Sequence, residues 1–144
     1  MLAGLRREVS PSLQESQFLA MQRAFDRHGG VATGDDVVGL MRGRIDHPIS
    51  VLARWIVARR VISLEWNGTT LLPLFQFDLA CMHLHAPVTR VAAELSDVFD
   101  AWTTALWFAQ PNARLGRIAP VDAIALDPVH VHQAACADRL IAAG

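Results

Sequence analysis

Two groups of cysteine and histidine have the side-chain types that bind metal ions. They are Cys81, His83 and His85 in one segment and His130, His132 and Cys136 in another. Thiolate and imidazole are the usual ligands of tetrahedral zinc sites. On a helix, His130 and His132 would lie about 200° apart, so only His132 and Cys136 would share a face. No tight turn brackets Cys81, His83 and His85. We therefore expect these cysteines and histidines to be ordinary half-buried side chains and not a metal site.

The sequence lacks the linear motifs of common enzyme classes. It contains no Gly-x-Ser-x-Gly nucleophile elbow, no glycine-rich phosphate loop and no His-Glu-x-x-His motif. Asp97 and Asp100 are close in sequence, but acids near helix N-termini are common without any catalytic function. A site assembled from distant residues would leave no linear motif. We expect a protein that is not an enzyme, with no catalytic residues and no cofactor.

Size and composition indicate a small folded protein. Of the 144 residues, 52% are apolar and 19% are charged, which is enough apolar surface for a sizeable core. No apolar run is long enough to span a bilayer, and the N-terminus has no signal-peptide pattern. We therefore expect a cytoplasmic protein without membrane contacts. Cys81 and Cys136 need no disulfide in that compartment.

The order of helical and strand patterns predicts a mainly α protein with one β-hairpin. We divide it into a flexible leader over residues 1–12, a helical part with the hairpin over 13–78, and a helical bundle over 79–144. Caps define three helices in the middle part, with Ser12, Thr33 and Pro48 at or near their first residues.

The dipeptide Asn67-Gly68 predicts a two-residue type I′ turn, because both residues tolerate positive φ angles. The flanking strands are predicted over residues 61–66 and 69–77. Pro73 has no N–H to donate to a ladder, so the second strand should be an edge strand there or should end there.

Three helices followed by a hairpin are typical of a winged helix-turn-helix, which favours a DNA-binding function for the middle part. The arginines available for such contacts are Arg42, Arg44, Arg54, Arg59 and Arg60. Arginine both neutralises phosphates and binds base edges. However, Arg54, Arg59 and Arg60 point in three directions around a helix, so they form no single stripe. A helical scaffold with solvated arginines is the alternative.

The last third of the chain predicts short helices around a stiff loop. Before it, Pro87 begins an amphipathic helix with Val88, Val91 and Leu95 on one face and Arg90, Glu94 and Asp97 on the opposite one. The loop has the sequence PNARLGRIAP, in which Pro111 and Asn112 end a helix and Gly116 permits a bend. Asp127 and Pro128 predict the cap and first residue of the closing helix.

This order of elements resembles the C-terminal toxin-binding domain of the Xre/MbcA/ParS antitoxin family. That domain has a helix bearing tryptophan or leucine, a Pro-Asn turn, a Leu-Gly-x-x-x-Pro segment and a closing helix. The matching residues are Trp107, Phe108, Pro111, Asn112, Leu115, Gly116, Pro120, Val121 and Asp122, with weaker similarity over residues 74–78.

The resemblance implies a cognate protein toxin of the RES type, which consumes NAD and is neutralised when the antitoxin covers its active-site entrance. It also implies a homodimer. The residues expected to shape or make the contact are Arg114, Leu115, Gly116, Arg117, Arg139, Ile141 and Gly144. Two alternatives stay open: a transcriptional regulator that binds duplex DNA through the middle part, and an interaction domain that has no toxin partner.

Overall fold

The computed structural model describes residues 12–144, so the predicted leader lies outside the described residues except for Ser12. The described part is mainly α, as predicted, with seven helices and one small antiparallel sheet. Its first half contains α1 (Leu13–Phe25), β1 (Val31–Thr33), α2 (Gly34–Met41), α3 (Pro48–Val57), β2 (Leu64–Trp66) and β3 (Thr69–Pro73). The predicted caps are confirmed, because the side chains of Ser12 and Thr33 accept hydrogen bonds from the third residue beyond each.

The predicted hairpin is present, with Asn67 and Gly68 both at positive φ in its turn. Its strands are shorter than expected, and a third strand, β1, was missed. Because β1 pairs with β3 in the order β1-β3-β2, β3 is the central strand and not an edge strand. The other half of the expectation is correct, since β3 ends at Pro73. The resulting element order is α1-β1-α2-α3-β2-β3.

A buried glutamine side chain forms hydrogen bonds with backbone groups next to the paired residues of β2 and β3. Gln76 is 2% exposed, in a short 3-10 turn that follows β3. Its Oε1 accepts a hydrogen bond from the N–H of Ile62 at 2.7 Å, and its Nε2 donates to the carbonyls of Ile62 and Pro73, both at 2.9 Å. The side-chain amide therefore takes the place of a backbone partner for the segment that leads into β2.

The second half contains α4 (Ala86–Leu95), α5 (Ala101–Ala109), α6 (Pro120–Ala123) and α7 (Pro128–Ala143). Asp100 caps α5 by accepting the backbone N–H of Thr103 at 2.8 Å, and this hydrogen bond lowers the pKa of Asp100. Asp127 caps α7 in the same way, as predicted. The α4 and α7 helices pack along each other, and α5 packs against α1. Within residues 12–144, none of the helices combines the length and apolar character needed to cross a membrane.

The larger core cluster joins the two halves of the chain. Met21 and Phe25 of α1 and Leu64 of β2 pack with buried residues of α4, α5 and α7. On the same side, Trp66 stacks on Phe18, with ring centroids 4.4 Å apart, and lies 5.8 Å from Trp102 of α5. A smaller cluster fills the space between α2, α3 and the sheet.

The glutamine contact yields a stability prediction. Replacing Gln76 with Leu keeps the volume but leaves the Ile62 N–H and two carbonyls without partners, at roughly 1–3 kcal/mol for each unsatisfied group. We expect Gln76→Leu to lower the free energy of unfolding by at least about 3 kcal/mol in urea titrations. The exposed Gln133→Leu on α7 is the matched control and should change it by less than about 0.5 kcal/mol. Equal stabilities of the two variants would contradict the assigned contact.

Candidate partner-binding surface

The loop after α5 is closed by its own backbone. The Asn112 side chain accepts the N–H of Arg114 at 2.9 Å, and the Asn112 N–H donates to the carbonyl of Ile118 at 3.1 Å. Gly116 and Arg117 both adopt the left-handed region, with φ of 65° and 67°, which allows the chain to reverse within these few residues. The stiff loop predicted from the sequence is present, and it is fixed by local hydrogen bonds.

Asp138 on α7 fixes this loop to the helices on both sides. Its carboxylate accepts hydrogen bonds from Trp107 Nε1 at 2.7 Å, from Asn112 Nδ2 at 3.3 Å and from Arg114 Nε at 3.3 Å. One half-buried carboxylate therefore joins α5, the loop and α7. Sequence reasoning missed Asp138, because its partners lie 24 to 31 residues away and no spacing rule relates them.

The residues expected in the loop differ in their accessibility. Leu115 is buried in the larger core cluster, so it shapes the loop from inside and cannot itself reach a partner. Gly116 and Arg117 are exposed at the tip. Arg114 is exposed as well, with its Nε directed to Asp138. The loop thus presents two arginines on a fixed backbone.

The closing helix has two distinct faces. Val131, Ala134 and Ala135 are buried against the rest of the fold. Val129, Leu140 and Ile141 are 67%, 73% and 68% exposed. Val129 and Leu140 are eleven residues apart, which returns them to within about 20° of each other around the axis and separates them by about 16 Å along it. Ile141 lies about 100° from Leu140 around the axis and is exposed in the last turn of α7. We call these three exposed side chains together the outer face of α7, and the predicted tail residue Gly144 follows it directly and is exposed.

Arg139 was expected to contact carboxylates of a partner, and in the structure it contacts two carboxylates of its own chain. Its Nη1 lies 3.0 Å from Glu94 Oε1, and its Nη2 lies 3.0 Å from Asp97 Oδ2. Arg139 therefore links α7 to the end of α4. The sequence analysis placed Glu94 on the solvent side of α4, and this was wrong, because Glu94 is half-buried between the two helices.

The same position of Glu94 changes the interpretation of the second histidine and cysteine group. His132 and Cys136 share a face of α7, as expected, and His130 points elsewhere, toward Asp127. Glu94 completes a cluster with them in which one ligand atom from each residue lies within 4.8 Å of the others. Among residues 12–144, this is the one group of three such side chains gathered in this way. The spacing of His132 and Cys136 in the sequence could not indicate that a third ligand, Glu94, would come from α4.

The predicted DNA-contacting arginines have different roles in the structure. Arg42, Arg54 and Arg60 are exposed. Arg44 donates to the carbonyl of Leu40 near the end of α2. Arg59 bridges to the second half of the chain, donating to the carbonyls of Ser96 at 3.3 Å and Phe99 at 3.2 Å.

The concave surfaces of the described residues are open grooves. The groove beside the loop has a volume of about 540 Å³ and is lined by Trp107, Asn112, Arg114 and Asp138. Another, of about 600 Å³, lies between α1 and the start of α5, with Gln17 and Trp102 on its walls. Both are shallow, and neither brings together a nucleophile, a base and an oxyanion donor in the way a catalytic site requires.

The Asp138 contact can be tested by substitution. Asp138→Ala leaves the indole N–H of Trp107 and the Asn112 amide without their shared acceptor, so we expect a loss of about 1–3 kcal/mol in the free energy of unfolding. Urea unfolding monitored by tryptophan fluorescence measures it. Asp46→Ala removes an exposed carboxylate in the turn before α3 and should be close to neutral. If Asp138→Ala were equally neutral, the carboxylate would not be what holds the loop.

Comparisons with known proteins add no relative to this picture: no protein-family model, no curated protein and no solved structure matches the chain. The resemblance to the antitoxin domain therefore rests on the residues quoted for it.

Proposed function

We propose that the chain is an antitoxin-like binding protein that neutralises a RES-type, NAD-consuming toxin by covering the entrance to its active site. The observation that carries the proposal is the outer face of α7, where large aliphatic side chains are exposed. The proposal assigns no chemical step to this protein, because inhibition by covering an entrance requires only a shaped and stable surface.

Hydrophobic burial supplies the affinity in this mechanism. Burying a leucine, isoleucine or valine side chain contributes roughly 1.5–3 kcal/mol relative to leaving it in water. Leu140 and Ile141 are mostly exposed within the last turns of the chain. A helix with exposed apolar side chains suits docking in a hydrophobic groove at the mouth of another protein's active site.

The loop supports the proposal in a second way. Its hydrogen bonds hold Arg114 and Arg117 on a fixed backbone before any partner binds, so little conformational entropy is lost on binding. Guanidinium groups bind carboxylates of a protein partner with good geometry. Arg139, in contrast, serves by holding α7 in place on α4.

The proposal predicts a sharp effect of charge on the outer face of α7. The double variant Leu140→Glu, Ile141→Glu should bind a co-expressed toxin encoded by the neighbouring gene at least about 100-fold more weakly, because two apolar contacts become buried charges. Copurification, isothermal titration and rescue of bacterial growth measure this effect.

Val57→Glu is the matched control, since Val57 is an 85% exposed aliphatic residue that lies on α3 and not on α7. It should leave toxin binding unchanged. The proposal fails if the α7 variant protects cells as well as the wild type does, or if the neighbouring product does not bind the wild-type protein. Sedimentation of the same preparations tests the proposed homodimer.

A DNA-binding regulator is the second candidate, and the winged helix-turn-helix order of elements favours it. Arg42, Arg54 and Arg60 are free to reach phosphates. The outer side of α3 carries Ile49 and Val57, which are 64% and 85% exposed and cannot form hydrogen bonds with base edges. Any DNA contact by this surface would therefore be mainly to the backbone.

The DNA candidate predicts a steep salt dependence. Arg54→Ala combined with Arg60→Ala should weaken duplex binding and reduce the slope of log K against log salt by about 2, because each phosphate contact contributes about 0.9. Fluorescence anisotropy from low to physiological salt measures the slope. Arg23→Ala on α1 is the control and should leave it unchanged. Absence of binding by the wild type at low salt would remove this candidate.

A further inference from the structure

We propose that Glu94, His132 and Cys136 form a binding site for a zinc-type divalent cation that links α4 to α7. This inference does not rest on the proposed function, because it is argued only from the contacts among these three side chains.

The distances within the cluster are close to those of a tetrahedral zinc site. Cys136 Sγ lies 3.3 Å from Glu94 Oε1 and 4.0 Å from His132 Nδ1. Zinc-sulfur bonds of about 2.3 Å and zinc-nitrogen or zinc-oxygen bonds of about 2.0 Å at tetrahedral angles place such ligand atoms about 3.5 Å apart. The two distances from sulfur are therefore within about half an ångström of this value, and the ligand atoms of Glu94 and His132 lie within 4.8 Å of each other.

The positions of the three residues on their helices are well determined. His132 and Cys136 are one helical turn apart on α7, so their side chains leave the same face. Glu94 lies in the last turn of α4, and α4 and α7 form an extensively packed helix pair. The ligands therefore come from rigid helices whose relative position is already set by the core.

Charge also favours a cation at this position. Burial, followed by the hydrogen bond to Glu94, raises the pKa of the Cys136 thiol, because a thiolate would lie beside a carboxylate. The hydrogen bond from that thiol and the one from Arg139 lower the pKa of Glu94, so this group is already ionised. A divalent cation would take the place of the thiol proton and offset both negative charges.

Metal binding at this site replaces the thiol proton of Cys136 with the metal ion. The Cys136 S–H bond breaks, its proton goes to solvent, and a sulfur-metal bond forms while His132 provides the Nδ1 lone pair. Arg139 can give up its hydrogen bond to Glu94 Oε1 and keep Asp97 as its acceptor, since it bonds both acids in the structure. All three ligands are half-buried, so a water molecule can reach the fourth position.

Titration of the full chain with Co²⁺, under reducing conditions and after removal of bound metal, tests the site. One equivalent should bind with a thiolate-to-cobalt charge-transfer absorption and the visible bands of a tetrahedral complex. Zn²⁺ should displace the cobalt and raise the Tm. Cys136→Ser should abolish the charge-transfer band, and Glu94→Gln should weaken binding at least about tenfold.

Cys81→Ser and His130→Gln are the matched controls, because these residues belong to the two sequence groups but not to the cluster. Both should bind cobalt as the wild type does. If Cys136→Ser fails to fold, X-ray absorption of the zinc-loaded wild type replaces it and should show one sulfur ligand. Absence of the band in the wild type, its persistence in Cys136→Ser, its loss in Cys81→Ser, or a first shell without sulfur would overturn the proposal.

Discussion

The packing of α7 on α4 determines most of what the second half of the chain presents to solvent. Ala134 and Ala135 occupy the buried face of α7, and these small side chains let the helices approach closely. Close approach places Arg139 over Glu94 of α4 and Asp97 just beyond its end, and brings Glu94 to Cys136. Because the small residues face inward, the larger Leu140, more than 100° away around the axis, is left outside, and Ile141 is exposed in the last turn. The polar cluster and the exposed apolar face are thus two results of one helix orientation.

Irregular segments of this protein are held by single polar side chains that satisfy several backbone or side-chain groups. Gln76 does so at the end of the sheet, where Pro73 interrupts the ladder. Asp138 does so at the loop after α5. Arg59 bonds two carbonyls beyond the end of α4. In each case the side chain lies where regular secondary structure cannot supply a hydrogen-bond partner. Its hydrogen bonds satisfy polar groups that would otherwise lack a partner, which is costly where they are buried.

Local chemistry made much of the fold predictable. The caps at Ser12, Thr33 and Asp127 and the Asn67-Gly68 turn depend on neighbours within three residues, so the sequence contains the whole interaction. Strand β1 has only three residues and exists because β3 pairs with it, which no local pattern reveals. The partners of Asp138 and Glu94 are distant in sequence, and the amphipathic pattern of α4 wrongly placed Glu94 on the solvent side because it cannot register a second helix covering that face. Of the outer face of α7, Ile141 was named from the sequence as a partner contact, whereas Val129 and Leu140 were not.

The aromatic stack between the halves has a consequence for how the molecule loses its structure. Phe18 and Trp66 belong to the first half, and Trp102, whose indole N–H donates to Gln17, belongs to the second. Melting either half alone would leave flat indole faces of the other in water, in addition to breaking the shared core. Denaturation should therefore be one cooperative event. A fragment that begins at α4 would be an expanded, aggregation-prone chain and not an independently folding domain.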